Sequence, residues 1–198
     1  MGFLGKFFKK SSSEIKNSES KFLPKKKLAI EERFVLNFIE NGGKFLYCEN
    51  LIEVKENYDL ILEENNWNVN DILINNPEIK IKYNLDFPFN LEINNAKCFI
   101  TECENLIASD GSILISSNQI HEKKLSDFPE NLIIISETKK LKNNISEGLS
   151  NIKSKSINIP TNITTIKNFN KSKKNKDFLS YGTSSKNLYL ILLENGLN

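Results

Sequence analysis

Residues 97–118 carry two of the three cysteines, three carboxylates and a cluster of small hydroxyl residues. Glu102 and Glu104 stand two apart, so a strand that continued through both would place their carboxylates on one face. Like charges at that distance would raise the pKa of one carboxyl group. Both glutamates are therefore candidate catalytic residues. The alternative is that they lie in a solvated turn, or that one of them caps a neighbouring element.

A turn rich in small polar residues follows the two glutamates. Asp110 and Gly111 separate two apolar runs, 106–108 and 113–115, and an Asp-Gly pair favours the positive φ angles of a tight hairpin turn. The backbone N–H groups of such a turn could bind an anion. A hairpin without a ligand is the alternative. The ligand-binding residues predicted in this segment are Ser109, Asp110, Gly111, Ser112, Ser116, Ser117 and Asn118.

A second candidate loop, residues 181–186 (YGTSSK), precedes the apolar run 187–194. Small residues before a parallel strand let the backbone approach a phosphate or carboxylate, and a lysine would add positive charge. The glycine spacing of a P-loop is absent, and a surface loop without a ligand is the alternative. The ligand-binding residues predicted in this loop are Gly182, Thr183, Ser184, Ser185 and Lys186.

The cysteines do not indicate a metal site. Cys48, Cys98 and Cys103 are an odd number without a close pair, which argues against a disulfide framework and favours a reducing compartment. A site made of cysteines alone would need a fourth ligand. The only histidine, His121, has no evident serine or cysteine partner for a catalytic triad. We therefore predict three reduced structural thiols, no metal and no cofactor.

Composition limits the classes of protein. With 198 residues the chain suits one domain, and its net charge of +2 does not indicate a nucleic-acid-binding protein. The polar stretch 9–21 predicts a flexible N-terminal tail over 1–22 and a single domain over 23–198. Residues 1–10 are too short for a signal peptide or a membrane span, so a cytoplasmic location is predicted and membrane contact is not. The basic run 167–176 is interpreted as a solvated loop.

Short apolar strands alternate with amphipathic helices along the chain. Strands are predicted at 45–47, 71–74, 132–135, 161–167 and 187–194, and helices from Pro24, from Asn50 and over 141–152. Residues 78–95 are predicted to be a loop with a short helix at most. This alternation is typical of an α/β fold in which helices flank a mostly parallel sheet, here with an inserted β-hairpin near 106–115.

Three segments resemble the LUD domain (lactate utilisation protein B/C-like) family. ITECENLIASDGSILIS at 100–116 resembles the family signature, LSDFPENLIIIS at 125–136 resembles its leucine–proline segment before a strand, and SSKNLYLILL at 184–193 resembles its last strand. The resemblance covers roughly 25–195. Two departures mark a divergent, standalone member: KNFNK at 167–171 replaces a Gly-Pro-Ser-Arg-Thr loop, and residues 181–185 replace a segment that often holds a histidine.

The resemblance implies a NagB/RpiA/CoA-transferase-like fold and a role in lactate or related organic-acid utilisation. It also implies iron–sulfur partner proteins and a cleft, between the hairpin and the 181–186 loop, that binds a small anionic ligand or a redox partner. Enzymes of this fold can use a glutamate as nucleophile. An acyl- or CoA-transferase-like or formyltetrahydrofolate-cycloligase-like enzyme that uses Glu102 or Glu104 is therefore an alternative. A noncatalytic adaptor whose N-terminal phenylalanines dock on a partner or a membrane is another.

Overall fold

Strands and helices alternate in the computed structural model, which describes residues 28–86, 93–155, 159–167 and 186–194. The helices of these ranges are α1 (Ile30–Glu40), α2 (Leu51–Glu64), α3 (Glu78–Tyr83), α4 (Ser117–Ile120) and α5 (Ile145–Lys155). The strands are β1 (Lys44–Cys48), β2 (Ile72–Ile74), β3 (Cys98–Thr101), β4 (Asn105–Ile107), β5 (Ser112–Ile115), β6 (Asn131–Glu137), β7 (Leu141–Lys142), β8 (Thr164–Ile166) and β9 (Asn187–Leu193).

Five of the strands form a main sheet in the order β1-β9-β6-β3-β2, and every neighbouring pair is parallel. The predicted α/β fold with a mostly parallel sheet is thereby confirmed. The predicted hairpin is also confirmed, since β4 pairs antiparallel with β5. It does not join the main sheet, however. Together with β7 and β8 it forms a separate four-stranded sheet in the order β7-β4-β5-β8.

Each face of the main sheet is covered by its own hydrophobic core. On one face α2 and α3 contribute Val54, Tyr58, Ile61, Leu62, Ile79 and Tyr83. On the other face α1 and the small sheet contribute Phe34, Val35, Phe38, Leu106, Ile113 and Ile115. The outer side of the small sheet packs Ile107 and Leu114 against Ile152 of α5. Side chains of a strand alternate between the two faces of the sheet. The core to which a residue of the main sheet belongs therefore shows which face its side chain is on.

Local capping residues set the helix boundaries. The predicted cap of α2 is confirmed, because the Asn50 side chain accepts a hydrogen bond from the backbone N–H of Glu53 at 3.0 Å. The helix predicted over 141–152 begins later, at Ile145. The Asn144 side chain accepts from the N–H of Glu147 at 3.0 Å and caps α5, whereas Leu141 belongs to β7.

Some predictions fall on residues that the structure does not describe. These are the N-terminal tail 1–22 and the basic run from 168 onwards. The first helix, predicted from Pro24, begins at Ile30 instead, because Ala29 has a non-helical ψ of 156°. Within the described ranges, no helix combines the length and the apolar character needed to cross a membrane.

Candidate functional site

Two glutamates lie side by side at the carboxyl edge of the main sheet. Glu102 directly follows β3, and Glu137 is the last residue of the neighbouring strand β6. Ile100 and Ile135, two residues before each glutamate, both pack beneath α2 and α3. Alternation along β6 places the Glu137 carboxylate on the α3 side of the sheet, and contacts with Lys82 and Tyr83 place the Glu102 carboxylate there too. Parallel α/β sheets commonly bind ligands outside this edge.

The last turn of α3 supplies the donors for both carboxylates. The Lys82 Nζ lies 2.7 Å from Oε1 of Glu102 and 2.7 Å from Oε1 of Glu137, so one ammonium group bridges the two strands. The Tyr83 hydroxyl donates to the same Glu102 oxygen at 2.6 Å. The short distances are typical of hydrogen bonds to an ionised acceptor.

Two further lysines reach the glutamates from the turn after β6. Lys139 forms an ion pair with Oε2 of Glu137. Lys140 donates from Nζ to the backbone carbonyl of Cys103 at 2.7 Å and lies 3.7 Å from Oε2 of Glu102. We call these five side chains, Lys82, Glu102, Glu137, Lys139 and Lys140, the edge cluster.

The lysines of the edge cluster keep both glutamates ionised. Burial alone would raise the pKa of Glu137, but hydrogen bonds from Lys139 and Lys82 outweigh it and hold this pKa at about 2. Burial of Glu102 is likewise outweighed by the charge of Lys140 and by hydrogen bonds from Lys82 and Tyr83, so its pKa is lowered. Burial and the Glu102 carboxylate raise the pKa of the Tyr83 hydroxyl, which stays protonated and donates.

The condition for a raised pKa in the Glu102–Glu104 pair is not met, and the pKa of Glu102 is lowered by its lysine neighbours. The expectation required a strand that continues through both residues, but β3 ends at Thr101. Glu104 belongs to a separate contact: its Oε1 accepts from the Ser116 hydroxyl at 2.6 Å and from the Asn118 amide at 2.8 Å.

The predicted anion-binding turn is packed against α1. Asn37 and Asn41 donate from their side-chain amides to the carbonyls of Ala108 and Asp110 at 2.8 and 2.7 Å. Three backbone N–H groups of the turn already have acceptors within the protein. They belong to Ser109, Gly111 and Ser112, and their acceptors are the carbonyls of Asn143 and Ile107 and Oδ1 of Asp110. These contacts argue against the turn as an anion site.

The hairpin residues predicted to bind a ligand are divided between its two ends. Ser109, Asp110, Gly111 and Ser112 lie at the turn, where Lys167 approaches Oδ2 of Asp110 at 3.5 Å. The open end carries Ser116 and Asn118 beside Glu104, while the Ser117 hydroxyl accepts from the backbone N–H of Thr161 at 3.0 Å. Of the two ends of the hairpin, the open end is the one that the chain enters directly after β3.

The second predicted loop is only partly described. Lys186 is buried and donates to the carbonyls of Phe128 and Pro129 at 2.6 and 3.0 Å, before the first residue of β9. It therefore lies at the amino edge of the main sheet, opposite the edge cluster. Gly182, Thr183, Ser184 and Ser185 lie outside the described residues, so the cleft between hairpin and loop stays a prediction.

The three cysteines are free thiols buried in the two cores. Burial raises the pKa of Cys48 to about 12 and raises the pKa of Cys98 and Cys103 as well. The described residues contain no group of three histidine, cysteine, aspartate or glutamate side chains placed to hold a metal ion.

Sequence reasoning missed most of the edge cluster, although a signal was present. Glu137, Lys139 and Lys140 directly follow the apolar strand predicted at 132–135, just as Glu102 follows Ile100 and Thr101. The carboxyl ends of neighbouring parallel strands meet at one edge of the sheet. Residues that follow two such strands are therefore expected to lie together, which places Glu102 near Glu137 and not near Glu104.

Comparisons with known proteins agree with this architecture. A DUF162 family protein from Deinococcus radiodurans, known from a crystal structure, matches with a TM-score of 0.58 and 13% identity, over 84% of this chain and 99% of that one. At that identity the match supports the fold alone. No curated protein matches the chain. The family model of the LUD domain matches residues 31–193. This match spans most of the sequence and confirms the predicted family: the chain belongs to the LUD domain family.

Proposed function

We propose that this protein takes part in lactate or related organic-acid utilisation and binds a small organic-acid anion at the edge cluster. One observation carries the proposal. Three ammonium groups surround two ionised carboxylates at the carboxyl ends of adjacent parallel strands. The LUD family supplies the metabolic context.

The lysines of the cluster differ in how far they reach into solvent. The side chains of Lys139 and Lys82 are 62% and 44% exposed, whereas that of Lys140 is 19% exposed. An incoming carboxylate can therefore contact Lys139 and Lys82 from solvent, while Lys140 stays anchored on the Cys103 carbonyl. Charge-assisted hydrogen bonds of this kind are strong enough to hold a small anion.

Direct binding measurements test the proposal. The full chain is titrated at low salt with L-lactate, D-lactate, glycolate, pyruvate and acetate, and heat release and thermal shift are recorded. We expect at least one acid to bind, and the double variant Lys139→Met/Lys140→Met to bind it about tenfold or more weakly, because Lys139 is lost as a charged donor and Lys140 as a neighbouring positive charge.

Lys97 provides the matched control. It is a lysine of similar exposure, 2.9 Å from Asp71, and it directly precedes β3 at the opposite edge of the sheet. Lys97→Met should leave the affinity of the chain for the bound acid unchanged. Absence of binding by all five acids, or equal affinity in both variants, would contradict the proposal.

A second candidate function, an acyl or CoA transferase, is favoured by the state of Glu102. Its lowered pKa keeps it ionised at the carboxyl edge. An ionised carboxylate can attack a thioester carbonyl, so that a C–O bond forms, the C–S bond breaks, and CoA leaves as the thiolate, giving an acyl-glutamyl anhydride. Hydroxylamine trapping after incubation with acetyl-CoA tests this candidate. A covalent adduct that Glu102→Gln abolishes and Glu104→Gln preserves would support it, whereas no adduct in the parent chain would remove it.

The family context also leads us to propose an iron–sulfur protein as partner. Affinity purification of the full chain from its own cell extract, followed by metal analysis of co-purifying proteins, tests this proposal. An iron-containing partner retained through gel filtration is the expected result. Recovery of the chain alone under reducing, oxygen-free conditions would contradict it.

A further inference from the structure

The outward face of α2 combines exposed apolar side chains with acidic ones. Ile52 and Leu60 are 70% and 59% exposed, although both are large aliphatic residues. Four exposed residues of this helix follow each other at spacings of four, three and four positions: Ile52, Glu56, Asp59 and Glu63. At these spacings they form one stripe along the helix. Leu60 lies beside this stripe.

The charge of this face is strongly negative. The segment Leu51–Glu64 contains five acidic residues and one lysine. Lys55 lies 3.4 Å from Asp59 and 3.6 Å from Asp86, and Lys44 lies 3.2 Å from Glu64. Glu56 and Glu63 have no ion-pair partner among the residues that the structure describes. The stripe therefore offers two uncompensated carboxylates next to exposed aliphatic surface.

The beginning of the sequence has the complementary composition. Residues 1–10 contain three lysines and no acidic residue, together with four large apolar side chains after Met1. These side chains are Phe3, Leu4, Phe7 and Phe8. The wider segment 1–27 carries eight lysines against two glutamates. A basic and aromatic segment is the type of ligand that an acidic, aliphatic helix face binds, since both its charge and its apolar surface are matched.

We propose that residues 1–10 dock on the outward face of α2 of the same chain, with the phenylalanines against Ile52 and Leu60 and the lysines near Glu56 and Glu63. Residues 11–27 connect this segment to Leu28 and can span about 55 Å when extended. A domain of this size has a radius of gyration of about 15 Å, so the tether reaches α2. Such a tether gives an effective concentration on the order of millimolar, at which weak contacts suffice.

Hydrogen exchange of residues 1–10, measured by mass spectrometry, tests the proposal. We expect exchange in the full chain to be about fivefold or more slower than in a synthetic peptide of residues 1–10. The variant Glu56→Lys/Glu63→Lys should lose this protection. Adding Lys9→Glu and Lys10→Glu to that variant should restore it, because the charges are then exchanged between the two surfaces.

Two exposed glutamates elsewhere supply a control of equal charge. Glu40→Lys/Glu122→Lys should keep the protection, since neither residue lies on α2. Three results would overturn the proposal. The first is exchange in the full chain as fast as in the peptide. The second is protection that rises with protein concentration, which would require a second copy of the chain. The third is protection that appears only when phosphatidylserine vesicles are added.

Discussion

Glu102, which follows β3, and Glu137, which ends the neighbouring strand β6, share one ammonium group, because Lys82 Nζ lies 2.7 Å from an oxygen of each carboxylate. Lys82 belongs to α3, so these contacts attach a six-residue helix to the carboxyl edge of the sheet. A helix of this length is not stable by itself and depends on its tertiary contacts. The edge cluster therefore has a structural role in addition to the one proposed for ligand binding.

Removal of the bridging lysine should destabilise the protein measurably. Lys82→Met leaves Glu137, whose side chain is only 7% exposed, with fewer charged donors. We expect the free energy of unfolding to fall by about 1–3 kcal/mol, as measured by urea denaturation. Lys97→Met removes an exposed pair and should change it by less than about 1 kcal/mol. Equal losses in the two variants would contradict the bridging role.

The depressed pKa values predict how stability depends on pH. Glu137 titrates at about 2 in the folded chain, compared with an ordinary value of 4.5. A depressed carboxyl pKa stabilises the fold above the unfolded value, and this stabilisation is lost as the pH falls through the folded value. We therefore expect stability to decrease from about pH 4.5 towards pH 2. Glu137→Gln should flatten this part of the profile, and an unchanged slope in that variant would argue against the assignment.

Close packing of the hairpin turn on α1 can be tested at Gly111. Its φ is +69°, and an added Cβ would lie 2.4 Å from the backbone nitrogen of Phe38. We expect Gly111→Ala to lower the free energy of unfolding by about 2 kcal/mol or more. In Gly148→Ala the new methyl group meets only flexible ends of Ile107 and Leu114, at 2.8 Å, so the change should stay within about 1 kcal/mol. The reverse order would contradict the packing.

The buried thiols should be unreactive in the folded protein. Burial raises the pKa of all three cysteines, to about 12 for Cys48, so the reactive thiolate is scarce at pH 8. We expect a chromogenic disulfide reagent to label none of them within minutes in native buffer, and all three in guanidinium chloride. Rapid labelling of one native cysteine would show that its burial is incomplete.

The fold was more predictable from the sequence than the site. Apolar runs such as 132–135 and the Asn50 cap locate strands and helices because they depend on neighbouring residues. The assignment of β4 and β5 to a second sheet depends instead on their pairing with β7 and β8, which are distant in sequence. Local patterns carry no information on such pairings.

The edge cluster shows the same limitation. Glu102 and Glu104 are close in sequence, yet Glu102 contacts Lys82, which lies 20 positions earlier, and Glu104 contacts Ser116. Because β3 ends at Thr101 and does not continue through Glu104, Glu102 has lysines as neighbours instead of a like-charged glutamate, and its pKa is lowered.

The location of bound ligand tests the central proposal most directly. Backbone amide shifts of the labelled full chain are followed by NMR during titration with L-lactate and the other acids of the panel. The proposal predicts saturable shifts concentrated at 101–104 and 136–140 and reduced in Lys139→Met/Lys140→Met. Shifts centred on the turn 109–112 or on Lys186, or no saturable shift with any of the acids, would contradict it.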